Sequence, residues 1–158
     1  MGDKLLWASL RIGLGWILLW PFLDKTFGLG FDTAPDKSWL AGVSPTYGFL
    51  KYATKGPFVD FFHNLAGSKI VEILFMLGLL LIGLALILGI LIKIAAYSGA
   101  SMLFLMWLSL LFPEHNPFLD EHIIYAILLI ALTKVKHSYS FSKPWSRLDI
   151  VKKYPILQ

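Results

Sequence analysis

Three stretches of the chain are apolar for close to the length of a membrane crossing, and a fourth is shorter. The first runs from about Leu5 to Leu23, the second from Ile70 to Ile92 and the third from Ile94 to Phe112. The fourth, about Glu121 to Val135, needs its flanks or little tilt to cross. A hydrocarbon core of roughly 30 Å takes about twenty residues of helix at about 1.5 Å each, so four crossings are predicted. Pro21 and Asp24-Lys25 mark the expected end of the first span. Gly78, Gly83, Ala85 and Gly89 give the second span small surfaces, with Ala85 and Gly89 at a close-approach spacing. The third opens on Ala95, Ala96, Ser98, Gly99, Ala100 and Ser101, which predicts a tight antiparallel hairpin with the second across a very short turn at Lys93.

The connection from Asp24 to Lys69 is too long for an idle loop. It holds a Gly-rich piece, Phe27 to Gly30, and a polar piece around Pro35. Ser44-Pro45 has the form of a cap followed by proline at the first helical position, predicting a short helix from Pro45 to Ala53. Pro57 to Ala66 places Phe58, Phe61, Phe62 and Leu65 at helical spacing, an aromatic face suited to the headgroup boundary. The pattern thus predicts an all-α integral membrane four-helix bundle under a long outer connection that contains short interfacial helices. The transmembrane domain is residues 1–148, followed by a basic cytoplasmic tail, 149–158.

Composition supports this. Hydrophobic residues make up 57% of the chain, charged residues 15%, and the mean hydropathy is +0.69, far from a soluble domain. Arg11 interrupts the first span at a cost of about 3 kcal/mol, and ten Leu, Ile and Phe residues at about −0.3 to −0.6 kcal/mol each offset it. No small-x-small cleavage site follows, so the span reads as a retained helix and not a signal peptide. With four spans, one side carries Lys4, Lys93, Lys134, Lys136, Lys143, Arg147, Lys152 and Lys153. The other carries Lys25, Lys37, Lys51, Lys55 and Lys69, in a connection that also holds four aspartates. The excess predicts a multi-pass protein of the cell membrane with both termini in the cytoplasm. The basic residues lie beside membrane segments, which predicts the lipid bilayer as partner and no nucleic acid. The chain has no cysteine, which removes disulfides, thiolate-held clusters and dithiol relays. A redox role therefore needs a bound cofactor, a quinone or a partner subunit.

Ionisable residues crowd the stretch Phe112 to Ile123, which reads FPEHNPFLDEHI. Such groups at the ends of hydrophobic helices are costly to desolvate and mark candidate sites. Asp120 is placed to cap the fourth helix and Glu121 to complement its dipole. Glu114, His115, Asp120 and His122 fit no metal motif, so no metal is expected. His122 is the candidate proton shuttle, since histidine titrates near neutral pH. Arg11 offers five donors to an anion or a quinone carbonyl; its structural alternatives are snorkelling or stacking on Trp7. Asp24, Lys25, Lys69 and Glu72 are expected at the outer rim with His122.

The first helix, LRIGLGWILLWPFLDKTFGLG, the long connection, two tightly turned helices and NPFLDEH before a fourth resemble the DoxX/DoxD family over Lys4 to about Leu148. The matching motifs are Arg11 with Gly15, Asp24-Lys25 with Gly28, and the segment Asn116 to His122. The resemblance implies a four-helix membrane bundle and kinship with the membrane subunit of thiosulfate:quinone oxidoreductases, which pass electrons from thiosulfate to a membrane quinone. It supplies no established catalytic residues to carry over. The expected function is a redox-associated, quinone-linked membrane subunit, with His122 moving protons and Arg11, Lys25, Glu72 and Asp120 around a quinone or small anion. The alternative is a non-catalytic accessory or assembly subunit of a larger membrane complex. Either implies further membrane subunits or a homo-oligomer.

Overall fold

A computed structural model of the protein describes residues 2–113 and 116–157. Among them there is no strand; the longer elements are α1 (Gly2–Phe27), α2 (Val59–Leu65), α3 (Lys69–Leu88), α4 (Ile92–Ser109) and α5 (Glu121–Leu132). Two short helices follow, α6 (Ser142–Trp145) and α7 (Asp149–Lys153). Three helices, α1, α3 and α4, are long and apolar enough to cross a membrane. The fourth apolar stretch forms only the 12 residues of α5, or about 18 Å of helix. Pro21 does not end α1, which continues through it to Phe27 and stops at Gly28, where φ is +66°. A proline inside a membrane helix is tolerated where neighbouring groups take up the freed carbonyl.

α1 packs on α3, α3 on α4, and α4 on α5, which also touches α1. Leu14, Leu18, Met76, Leu79, Leu86, Leu103 and Leu129 meet in the centre. Leu5, Trp16, Leu74, Leu81, Leu105 and Ile127 stand more than half or nearly half exposed, an apolar outer surface that contacts lipid. α1 and α3 approach closely where Gly15 meets Gly83. A methyl added at Gly15 would sit 2.8 Å from Ile87 Cγ1 and 2.9 Å from the Gly83 carbonyl oxygen. One added at Gly83 would sit 2.8 Å from Leu19 Cβ. Small residues let two backbones meet where lipid gives no hydrophobic reason to associate.

The turn from α3 to α4 is three residues long, with Gly89 at φ +71° and Leu91 at φ +53°. Lys93 lies beyond it, in the first turn of α4. The stripe of small residues on α4 is shared: Ala95, Ala96 and Gly99 are buried, while Ser98 and Ser101 are exposed. At Gly99 an added methyl would meet Leu129 of α5 at 2.9 Å and Ile82 of α3 at 3.2 Å.

The long connection covers one end of these helices. Its amides at Trp39 and Leu40 donate to the carbonyls of Lys25 and Thr26 at the end of α1. Ser44 Oγ accepts from Tyr47 N at 3.1 Å, the cap expected there, but the helix that follows is a π-turn over Phe49–Ala53. Gly56, at φ +80°, lies so close to the Leu111 carbonyl that no side chain fits. On α2, Phe62 is buried while Phe58 and Phe61 are exposed. The last segment folds back as well: Val151 is fully buried, and Trp145 Nε1 donates to the Leu157 carbonyl at 2.7 Å.

Candidate functional site

The buried charges divide between the two ends of the helices. Antiparallel register sets the levels: α1 and α3 meet with Arg11 at Ile87 and Gly15 at Gly83, which brings Thr26 level with Glu72.

At one end stands Arg11, fully buried. It neither snorkels nor stacks on Trp7. Its Nη1 donates to the carbonyls of Leu86 and Ile87, the latter at 2.9 Å. Its Nη2 donates to the carbonyl of Tyr139 at 2.8 Å and reaches that of Ser138 at 3.5 Å. The last four carbonyls of a helix have no partner within it. Here all four are met: Ala85 by the amides of Gly89 and Ile90, Leu86 and Ile87 by Arg11, and Leu88 by the Phe141 amide at 2.8 Å. The guanidinium also lies at the negative end of the α3 dipole. Gly89 leaves room for it, since an added methyl would come within 2.7 Å of Nη1.

At the other end, Asp24 is buried, and its two carboxylate oxygens accept from the amides of Phe31 and Asp32 at 3.3 and 3.0 Å. It shapes the turn that leaves α1. Lys25, one residue on, is half-buried and makes no ion pair among the described residues. Glu72 is buried in the first turn of α3, and its Oε2 meets Lys69 Nζ at 2.9 Å. The Ser44 hydroxyl lies next to the carboxylate, and Oε1 has no hydrogen-bond partner among the described residues. The hydroxyls of Thr26 and Thr46 are likewise buried without partners. Three unmet polar groups thus lie buried at this end, where buried polar atoms are otherwise almost always paired.

Asp120 is the N-cap of α5. Its Oδ1 accepts from the amides of His122 and Ile123 at 3.0 and 3.3 Å, and its Oδ2 lies 2.8 Å from His122 Nδ1. The carboxylate thereby orients the imidazole. Asp120, Glu121 and His122 bring ligand-type atoms within 4.8 Å of one another, but the Asp120 oxygens are already committed to the cap and the ring. Glu114 and His115 lie outside the described residues. Asn116 Oδ1 accepts from the amides of Phe118 and Leu119, and Trp107 Nε1 donates to the Phe118 carbonyl at 2.9 Å, tying this segment to the end of α4.

Among the described residues, no hydrogen bond or ion pair joins any two of Arg11, Lys25, Glu72 and His122. Arg11 is at the far end from the other three, while Asp120 and His122 form a pair. Sequence reasoning did not find the carbonyls of Ser138 and Tyr139, nor the hydroxyls of Thr26 and Thr46. A backbone acceptor leaves no mark in a sequence, and a lone threonine resembles any other. Comparison with known protein families, curated proteins and solved structures found no match for the chain.

Proposed function

We propose that the chain is a DoxX/DoxD-type membrane subunit that binds the headgroup of a membrane quinone in a polar chamber beside Glu72. It serves the quinone-linked oxidation of a small sulfur compound such as thiosulfate, together with a partner subunit. The supporting observation is the buried Oε1 of Glu72, without a hydrogen-bond partner among the described residues, at the same end of the helices as the unmet hydroxyls of Thr26 and Thr46. A quinol hydroxyl is a donor that this oxygen lacks, and a threonine hydroxyl is a donor that a quinone carbonyl accepts. Reducing the quinone takes two electrons, from the sulfur compound through the partner, and two protons. His122, held by Asp120 at the head of α5, passes protons between the chamber and the surface. Lys25, at the end of α1, adds positive charge at the rim.

In this reading the chain crosses four times. α5 is completed as a crossing by residues 133–138, since Ser138 and Tyr139 meet Arg11 beside the end of α3. Eight Lys and Arg residues then share the Arg11 end with Asp3 and Asp149, while five Lys residues share the Glu72 end with eight acids. This asymmetry supports cytoplasmic termini and an outward chamber.

Purified protein in mild detergent is extracted for quinone and assayed for thiosulfate-dependent quinone reduction with its co-purifying subunits. Glu72→Gln and His122→Ala are expected to lose most of that activity while remaining folded. Retention of quinone content and activity by both variants refutes the site. Because the chain has no cysteine, single cysteines at positions 37 and 143 report topology; only position 37 is expected to label from outside.

A second reading, an accessory subunit, draws on the groove of about 650 Å3 between α4 and α5, lined by Tyr97, Ala100, Phe104, Ala126 and Ile127. Filling it with Ala126→Phe separates the two: loss of a co-purifying subunit with quinone content intact favours docking over binding.

A further inference from the structure

The turn between α3 and α4, the chain after α5 and the helix α6 enclose a second cleft, of about 510 Å3, at the Arg11 end. Three lysines line it: Lys93 from the first turn of α4, Lys136 from the segment after α5, and Lys143 from α6. All three residues are exposed, and none has an ion-pair partner among the described residues. No carboxylate lines the cleft. Apolar walls come from Ile90, Leu91, Ile92, Val135 and Trp145, and His137 also lines the cleft. The hydroxyls of Thr133 and Ser146 donate to the carbonyls of Ile130 and Lys143, and that of Ser142 is shared with Ser140, so the lysines are the charged groups offered to an anion. Lys134, Arg147 and Lys153 add to the field, and of the two acids at this end Asp149 is paired with Lys152.

Three lysines around a largely apolar cleft, at the end of lipid-facing helices, match one ligand chemistry: a phosphate diester carried on acyl chains. We propose that this cleft binds the headgroup of an anionic phospholipid, with Lys93, Lys136 and Lys143 around the phosphate and the acyl chains on the apolar surface beside it. Exposed Leu88, Ile94 and Phe141 supply that surface at the cleft's edge. A free phosphate would gain the lysines but leave the apolar walls uncovered. The uncapped start of α4 opens on the same space and adds a partial positive charge to that of the lysines. The inference rests on the chain spanning a membrane and not on the quinone site, which is at the opposite end.

The test is lipid binding by purified full-length protein, measured by native mass spectrometry and in vesicles. The vesicles are phosphatidylcholine alone or phosphatidylcholine with about one-third phosphatidylglycerol, an anionic surface. Phosphatidylglycerol is expected to be retained over phosphatidylcholine. Each lysine near an anionic surface contributes roughly fivefold in affinity, so Lys93→Gln/Lys136→Gln/Lys143→Gln is expected to lose roughly a hundredfold of that preference. Lys37→Gln/Lys51→Gln, at the other end, is expected to lose none. Should the triple variant not fold, the single variants carry the test, each expected to lose about fivefold. Equal retention of the two lipids overturns the proposal, as does an unchanged preference in the lysine variants. Displacement of phosphatidylglycerol by inorganic phosphate at comparable concentration also overturns it, and assigns the cleft to a free anion. Quinone content is expected to be unchanged in the lysine variants, so failure here and failure at Glu72 are told apart.

Discussion

Arg11→Ala tests how the molecule is held together at the end away from Glu72. In the native protein the guanidinium serves the carbonyls of Leu86, Ile87 and Tyr139, with Ser138 at longer range. Its loss strands Ile87 and Tyr139 outright and leaves Leu86 only the Gly89 amide at 3.2 Å. A buried acceptor without a donor costs about 1–3 kcal/mol, and bonds from a charged donor lie at the upper part of that range. Two to three such losses come to roughly 3–6 kcal/mol, less whatever is regained by no longer burying a charge. For a chain of this size 1 kcal/mol moves the melting point by about 2–4 °C, so a fall of roughly 10–15 °C is expected. Tryptophan fluorescence of the detergent-solubilised protein measures it. Arg11→Lys keeps the charge and part of the bonding and is expected to fall about half as far. Limited proteolysis should cut Arg11→Ala first between Thr133 and Leu148, the segment that Arg11 ties down. A melting point within about 2 °C of native refutes the clamp. If quinone is lost at the same time, Arg11 instead holds a ligand.

Three further outcomes follow from the same geometry. Gly15→Ala and Gly83→Ala each force a methyl against backbone and are expected to cost about 1–3 kcal/mol in thermal unfolding, whereas Gly13→Ala, with nothing within 4 Å, is expected to be neutral or slightly stabilising. Asp120→Ala removes the N-cap of α5 and the partner of His122, with an expected loss of about 0.5–2 kcal/mol, largely retained by Asp120→Asn. Gly56→Ala, at positive φ against the Leu111 carbonyl, is expected to reduce yield of folded protein more than Gly42→Ala, where φ is also positive but space is open.

The three long helices were legible because lipid demands one property over some twenty residues, and that property survives reading without context. Asp120 was legible for the opposite reason: an N-cap is decided within three residues, and an aspartate immediately before an apolar run is enough. Pro21 was misread as a terminus because its cost depends on what takes up the freed carbonyl, which is tertiary. α5 came out shorter than its apolar pattern, since the chain leaves the helix at Thr133 to reach Arg11. The partners of Arg11 were out of reach: they are main-chain oxygens 75 and 128 residues away. The proposed lipid cleft combines lysines from three elements that are unremarkable singly. The unmet oxygen of Glu72 becomes visible only when Lys69 and Ser44 are seen on its other side.

The clamp at Arg11 has a consequence for biogenesis. As the chain emerges, α1 enters first with a cation that has no partner, and α3 supplies two carbonyls only when its last turn has formed. The remaining acceptors belong to Ser138 and Tyr139, behind every apolar helix that packs into the core. Nη2 therefore stays open through most of synthesis, and its closure reports that the last helix has docked. A chain stalled before Ser138 keeps a buried donor exposed within the bilayer, the kind of defect that membrane quality control removes.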